Sequence, residues 1–320
     1  MQIKNRHNID DIFLRLHERY SQEREESVLS REIADPWDVN VSVTELLNPL
    51  QISLLMRYFE KQTSKDLNNL LPSLIGSAVH EALARTDDDI NSLKEVRLFK
   101  IIDGMTVSGQ PDRMFQETKK TRTFKNTGDV WVKGQWAIQD YKLTGAYSTL
   151  KNKREWEEQL NCYAYMAQRG LTASGNSLEQ VDKIDNLFVT AIVRDWNYNN
   201  VGKPDYPESW VVDIQIPVWS EEEQRDFLHN KVSAFQEAIE KYKETKELPR
   251  CTDEERWSSG GKFAVMKPKR KSAVKLFGTE EEAKEFSITI PDAYIESRPV
   301  RYMRCDRYCD VSKVCQQVLE

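Results

Sequence analysis

Near the N-terminus, Ile9, Ile12, Phe13 and Leu16 fall on one face of a helical segment spanning residues 8–30, and its other face is densely charged. Pro36 breaks that pattern. A second helical run follows, "SVTELLNPLQISLLMRYFEK", with Ser42 or Thr44 as its N-cap and Pro49 as a punctuation point. "PSLIGSAVHEALAR" repeats Ile75, Val79 and Leu83 at a spacing of four and predicts another helix. The period then changes to that of strands. "EVRLFKIID" and "MTVSGQPDRMF" flank Gly104 as an antiparallel hairpin. Residues 116–134 are polar and basic and read as a loop or an extended hairpin. "QWAIQDYKL" is the next strand, and "REWEEQLNCYAYMAQRG" is a helix with Gly170 at its C′ position. A loop, "GLTASGNSLEQ", leads to the strands "NLFVTAIVRDW" and "SWVVDIQIPVW". Ser220 and Glu223 form a capping box that opens a long helix to about Tyr242. After Pro249 the secondary-structure signals are few. Together these elements predict an α/β fold, a mixed sheet flanked by helices with a cysteine-bearing C-terminal segment.

One strand breaks the apolar rule. Asp140 and Lys142 lie two residues apart in "WAIQDYKLTG", so they share a face while Tyr141 points the other way. Placing either ion in a buried strand costs several kcal/mol unless it is matched, about the scale of a buried ion pair. Such a pair is either a structural salt bridge or part of a reaction site.

The chain has 320 residues, of which 31% are charged and 39% hydrophobic, as in a globular protein. No apolar run approaches the roughly 18 residues of a membrane span. "MQIKNRHNIDDIF" lacks the apolar region of a secretory signal, so an intracellular, cytoplasmic location is expected. Forty-six basic against 52 acidic residues give a net charge of −6, which excludes a globally basic nucleic-acid binder but not a local basic surface.

Four features occur in order: His80 in "GSAVHEAL", Asp112 in "SGQPDRMF", Asp140 and Lys142 in "IQDYKLTG", and Gln159 with Tyr163 in "EEQLNCYAY". Carboxylates and an imidazole can hold Mg²⁺ or Mn²⁺, which acidifies a water ligand and neutralises charge building on a phosphoryl group. A lysine beside that water can orient it. Gln159 and Tyr163 are four apart and share a helical face. Glu95, at the start of the first strand, is a weaker candidate. Each piece alone also has a plain structural reading: a hydrogen-bonded histidine, a turn aspartate, a salt bridge, a helix surface.

The order H…PD…DYK…QxxxY resembles that of the RecB-like nucleases of the PD-(D/E)xK superfamily, over about residues 76–167. The resemblance implies a restriction-endonuclease-like α/β core at 76–250, after an N-terminal helical region at 1–75 and before a cysteine-bearing segment at 251–320. It implies that His80, Asp112, Asp140 and the backbone carbonyl of Tyr141 bind the metal. Lys142 would be catalytic together with Asp112 and Asp140, and Gln159 and Tyr163 would line the substrate channel. DNA, single-stranded or with free ends, is the implied partner, and the implied settings are recombination, repair, phage replication and CRISPR-type processes in bacterial or phage-infected cells. No G-x-x-x-x-G-K-[ST] motif is present, so unwinding would come from a helicase or recombination partner. A non-catalytic DNA-binding protein that keeps the fold, or an RNase, would share these residues.

Of five cysteines, Cys305, Cys309 and Cys315 crowd the C-terminus, Cys251 precedes them and Cys162 stands apart. Clustered thiols in a reducing compartment favour a metal over disulfides. Several RecB-like nucleases, AddB-type and CRISPR-associated among them, clamp their core with a four-cysteine [4Fe–4S] cluster. The resemblance thus implies such a cluster at Cys251, Cys305, Cys309 and Cys315, with Zn²⁺ as the alternative. Phosphate-contacting surfaces are expected at Lys119, Lys120, Arg122 and Lys125, at Lys151, Lys153 and Arg154, and at Lys262, Lys267, Lys269, Arg270, Lys271 and Lys275. Trp257 and Phe263 are candidates for base stacking.

Overall fold

The structure, a computed structural model, describes residues 2–29, 40–59, 62–87, 91–150, 153–168, 171–172 and 181–320. Pro36, Lys151, Gly170 and most of the loop after it lie outside the described residues. In chain order the elements are β1 (Gln2–Lys4), α1 (Asp11–Leu29), β2 (Asn40–Ser42), α2 (Val43–Leu47), α3 (Leu50–Phe59), β3 (Ser64–Asp66), α4 (Leu67–Ala84), β4 (Ser92–Lys94), β5 (Leu98–Ile102), β6 (Met105–Gly109), β7 (Arg113–Gln116), β8 (Thr121–Phe124), β9 (Gly128–Trp131) and β10 (Trp136–Thr144). They continue with α5 (Arg154–Ala167), β11 (Leu171–Thr172), β12 (Asn186–Val193), β13 (Val211–Ile216), α6 (Glu221–Thr245), β14 (Lys262–Met266), β15 (Lys275–Phe277), α7 (Glu280–Ile288), β16 (Tyr294–Arg298) and α8 (Gln316–Leu319). The fold is mixed α/β, sheets flanked by helices, with the cysteine cluster in the C-terminal region. Among the described residues no helix is long and apolar enough to cross a membrane.

The chain forms two compact units. Their boundaries differ from the three consecutive segments expected from sequence, because residues 49–64 join 246–320 while 3–48 and 65–245 form the larger unit. The reason is apolar. In the smaller unit, Leu55 of α3 is buried with Val311 and Cys315, and Ile52, Met56, Phe59 and Leu248 pack around them. Pro49 and the Asn48 cap separate α2 from α3, so the single apolar run of the sequence feeds two cores.

The larger unit holds a five-stranded sheet in the order β13-β12-β10-β7-β4, in which β10 and β12 run parallel and the other pairs antiparallel. β12, "NLFVTAIV", is almost continuously apolar and buried, as a strand covered on both faces requires. A four-stranded sheet, β11-β5-β6-β2, lies in the same unit. Its β5–β6 hairpin turns on Asp103 and Gly104, both at positive φ (49° and 80°), the two-residue turn whose twist suits a hairpin. α5 packs on β10, β12 and α6, burying Leu160, Ala164, Met166 and Ala167. The capping box opens α6 as expected: Ser220 N donates to Glu223 Oε2 at 2.8 Å, and Glu223 N donates to Ser220 Oγ at 3.2 Å.

The basic stretch 116–134 folds as the β8–β9 hairpin. Its Phe124 and Val132 join Phe115, Ala137 and Phe188 in a buried cluster. Ala137 is odd-numbered on β10 and Asp140 and Lys142 are even, so the hairpin covers the face of β10 opposite the candidate active site. The hairpin alternative thus holds, and one expectation is corrected. Arg122 is no surface cation: it donates to Glu117 Oε2 at 2.7 Å and to Asp213 Oδ2 at 2.7 Å, with only 13% of its side chain exposed.

The region after Pro249, which shows few signals in sequence, forms the sheet β15-β14-β16 with α7 against it. Its strands are three to five residues long, too short for periodicity to stand out. One legible signal was there: Thr279 caps α7 by accepting from Glu282 N, ahead of three glutamates in the first turn.

Candidate active site

Ser42, not Thr44, caps α2, accepting from Glu45 N at 3.1 Å. Thr44 is thereby free for another role, described below. α4, capped by Asp66, carries His80. The turn Gln110-Pro111-Asp112 between β6 and β7 supplies Asp112, and β10 supplies Asp140, Tyr141 and Lys142. α5 supplies Gln159 and Tyr163. All seven residues named from sequence form one linked cluster.

His80 and Asp112 clasp the backbone of Tyr141. His80 Nδ1 is 3.1 Å from Asp112 Oδ1, and its Nε2 is 2.9 Å from the Tyr141 carbonyl oxygen. Tyr141 N donates to Asp112 Oδ2 at 2.6 Å. Both imidazole nitrogens thus face oxygens, an arrangement that a doubly protonated ring satisfies. Burial pulls the His80 pKa down, but the Asp112 hydrogen bond and the charges of Asp112, Asp140 and Glu95 outweigh it, and the net shift is upward.

Glu95 belongs to the site. One ligand atom each from His80, Glu95 and Asp112 lie within 4.8 Å of one another, the only such set among the described residues. Glu95 sits just past β4 with φ at +51°, an uncommon conformation for a non-glycine residue. Its N donates to Asp112 O at 3.0 Å, and Gln110 Nε2 donates to its Oε2 at 2.8 Å. Burial, then the Asp112 charge, raise its pKa. Gln110 was missed in the sequence, although it stands two residues before Asp112 in "GQPD".

Asp140 lies outside that set of three and pairs with Lys142, whose Nζ is 2.8 Å from Oδ2. Oδ2 is fully buried, so its negative charge is met by the Lys142 ammonium rather than by water. Burial, opposed by Lys142 and reinforced by the Asp112 charge, pushes the Asp140 carboxyl up from an ordinary 3.8 to about 6. Burial pulls the Lys142 pKa down, and Asp140 more than compensates, so Lys142 stays an ammonium. Lys142 donates to Gln159 Oε1 at 3.1 Å, and Gln159 Nε2 donates to Tyr163 OH at 2.9 Å. The Tyr163 hydroxyl is in turn hydrogen-bonded to the Thr44 side chain. No sequence signal links Thr44 to this chain, because α2 and α5 are far apart in sequence and meet only in the tertiary structure.

These residues fit a divalent cation. Glu95 and Asp112 converge with His80, the nearby Asp140 charge acts on all three sites, only one lysine and one histidine offset the carboxylates, and the carboxyls of Glu95 and Asp140 are driven up. Hard oxygen donors with one imidazole suit Mg²⁺ or Mn²⁺.

Close packing supports the hydrogen-bond chain. A Cβ on Gly109 of β6 would meet Cδ1 and Cε1 of Tyr163 at 2.9 Å. Gly109→Ala is expected to cost about 1–3 kcal/mol by overpacking and to displace Tyr163 from Gln159. Thermal unfolding checks the first effect and metal-dependent cleavage the second, and an unchanged melting temperature would contradict both.

In the smaller unit, Cys251, Cys305, Cys309 and Cys315 line one pocket, with Arg256 and Arg304 beside them. The Cys251 backbone is pinned there: its N donates to Gln317 Oε1 at 2.9 Å, and Gln317 Nε2 returns a bond to its carbonyl at 2.9 Å. Burial pushes the Cys251 thiol up to about 12 and raises that of Cys309. Arg256 hydrogen-bonds Cys305. Cys162 lies in the larger unit, buried in α5, its thiol pushed up to about 12 by burial.

Among the other expected basic positions, Arg154 pairs with Glu158 at 2.7 Å and Lys120 lies 5.4 Å from the Trp131 ring centroid. Trp257 is tilted against Tyr308 with ring centroids 5.4 Å apart, and Phe263 faces Phe277 across the β14–β15 pair.

No family model and no curated protein matches the chain. A solved structure described as "Crystal structure of SSO0001" is similar over 68% of this chain and 86% of its own, at 11% identity and a TM-score of 0.42.

Proposed function

We propose that this chain is a metal-dependent DNA nuclease with a RecB-like, restriction-endonuclease-like core, hydrolysing phosphodiester bonds of single strands or DNA ends. The observation that carries this reading is the convergence of His80, Glu95, Asp112, Asp140 and Lys142 on one small site, with Lys142 held charged. Glu95, Asp112, Asp140, the Tyr141 carbonyl and the neutral form of His80 would hold Mg²⁺ or Mn²⁺. Such an ion, when bound, supplies acidification of a water ligand and neutralisation of phosphoryl charge. Lys142, fixed between Asp140 and Gln159, orients the attacking water and offsets negative charge developing at the phosphorus. Gln159 is itself aimed by Tyr163 and Thr44, so the amide oxygen that meets Lys142 is set from two turns of α5 and from α2. Tyr141 N holds Asp112 and keeps its carboxylate turned to the site.

The test is digestion with Mg²⁺ or Mn²⁺ of 5′- and 3′-end-labelled single strands, duplexes and circles, with an RNA strand alongside. Cleavage of DNA that stops on addition of EDTA is expected. Absence of turnover on every substrate with either ion would sink the reading, and cleavage of RNA alone would replace it with an RNase.

We further infer that the four-cysteine pocket holds a [4Fe–4S] cluster rather than zinc. Tetrahedral zinc, with Zn–S near 2.3 Å, places its sulfurs about 3.8 Å apart, yet no three of these cysteine sulfurs lie within 4.8 Å of one another. The wider spread suits a larger inorganic group, and Arg256 and Arg304 offset the charge of thiolate ligands. Such a cluster would order the segment that closes from Cys251 to Cys315. Cys309→Ser is expected to bleach the brown colour of anaerobically purified protein and to lower its melting temperature. A wild-type preparation free of both iron and zinc would end this reading.

A further inference from the structure

The β14–β15 hairpin carries six cations, Lys262, Lys267, Lys269, Arg270, Lys271 and Lys275, and no carboxylate from residue 262 to 277, in a chain of net charge −6. Five of the six are exposed and Lys267 is half-buried. Among the described residues none of the six forms an ion pair. The neighbouring carboxylates Glu280 and Glu296 are engaged by Lys284 and Arg298 instead. The tip is ordered by its own backbone: Val274 N donates to Val265 O at 2.8 Å, Arg270 N donates to Lys267 O at 3.2 Å, and Lys269 takes a left-handed φ of 66°. A concentrated positive charge is therefore held on the ordered connection between β14 and β15, at one end of the three-stranded sheet β15-β14-β16.

The hairpin's aromatic residues bear on the kind of polyanion it would take. Phe263 and Phe277 are directly opposed across the strands and share a face. Phe277 contacts Phe286 of α7 with ring centroids 5.2 Å apart, and Lys275 lies over both rings. The aromatics are thus turned to α7, and the hairpin offers charge without a stacking platform. Single-strand sites combine charge with exposed aromatics on which bases stack. Charge without a stacking platform suits the phosphates of a duplex, whose bases are already stacked on one another.

We propose that the β14–β15 connection docks on double-stranded DNA, with Lys267, Lys269, Arg270 and Lys271 against its backbone phosphates. This rests on the nuclease reading only in the choice of DNA as the polyanion, and it assigns a duplex-holding surface to the substrate. The test is fluorescence anisotropy of a labelled blunt duplex in EDTA, where no cleavage occurs, over a range of salt concentrations. The variant is Lys269→Asn with Arg270→Gln and Lys271→Gln, three exposed positions, with asparagine chosen because it tolerates left-handed φ. Each lost phosphate contact lowers the slope of log K against log salt by about 0.9, so a reduction of about 2–3 is expected on the duplex. The thermal midpoint is expected to stay at the wild-type value. An unchanged duplex slope overturns the proposal. So does a loss confined to single-stranded DNA, to RNA or to phosphatidylserine vesicles, or a wild-type protein that does not bind duplex. A wild-type protein that fails to cleave DNA with metal yet shows the slope change would remove the nuclease reading and leave this surface standing.

Discussion

Lys142→Ala is expected to lower metal-dependent cleavage by on the order of 10²–10⁴-fold, the range a positioned proton-handling group contributes. The variant should still bind labelled DNA in EDTA, because Lys142 lies on the strand face turned to Asp140 and Gln159 rather than in an exposed basic patch. The substitution also has a pH signature in the protein alone. The Asp140 carboxyl is raised from 3.8 to about 6, mainly by burial. The folded state therefore holds that proton more tightly than the unfolded chain. The resulting stability is fully present below the ordinary carboxylate range and is given up as pH rises through the folded value. Lys142 is the cation that opposes this shift, so removing it raises the Asp140 pKa further and makes an ionised, unpaired carboxylate more costly. Melting temperatures in EDTA should thus show a larger loss for the variant at pH 8 than at pH 5. Wild-type cleavage rates in Lys142→Ala would remove the residue from the machinery. An equal loss at both pH values would remove the electrostatic account.

Arg122→Ala is expected to be the most destabilising single change outside the site. Arg122 bridges Glu117 and Asp213 beneath the β8–β9 hairpin. Asp213 Oδ1 also accepts from Thr190 Oγ1 at 2.6 Å, Gln139 Nε2 donates to that hydroxyl at 2.7 Å, and Arg113 donates to Gln139 Oε1 at 2.8 Å. The Arg122 guanidinium also lies 4.5 Å from the Phe188 ring centroid. Its pKa is raised, because the bonds and charges of Glu117 and Asp213 outweigh burial. Removing the arginine strands two carboxylates, a change that costs about 3–5 kcal/mol when a buried pair loses one partner. At roughly 2–4 °C per kcal/mol for a domain of this size, the melting temperature should fall by roughly 6–20 °C. Arg122→Met combined with Glu117→Gln and Asp213→Asn should recover most of that loss, since no unpaired charge remains. A shift under about 1 kcal/mol for Arg122→Ala would mean that the ions are hydrated and the network carries little.

The same two networks mark the limits of reading this chain by its sequence. His80, Asp112, Asp140, Lys142, Gln159 and Tyr163 could be named in advance because their order along the chain resembles that of the RecB-like nucleases; local spacing added only that Asp140 and Lys142 share a strand face and Gln159 and Tyr163 a helix face. Glu95 looked no different from an exposed strand-end carboxylate until the β4–β7 pairing set it beside Asp112. Arg122 looked like one basic residue among several, because nothing local reveals that Asp213, 91 positions away, will meet it.

The main helices and strands up to Tyr242, the capping box at Ser220, the hairpin at Gly104 and the α/β class were legible in the sequence alone, since each depends on neighbours within a turn or a pleat. Tertiary structure alone decided that α3 belongs with the C-terminal cysteines, that the 116–134 hairpin covers the back of β10, and that Thr44 and Gln110 steady the site. Those outcomes depend on which apolar faces find each other and on which buried charges then need partners, quantities set by the whole chain's packing and carried by no short window of residues.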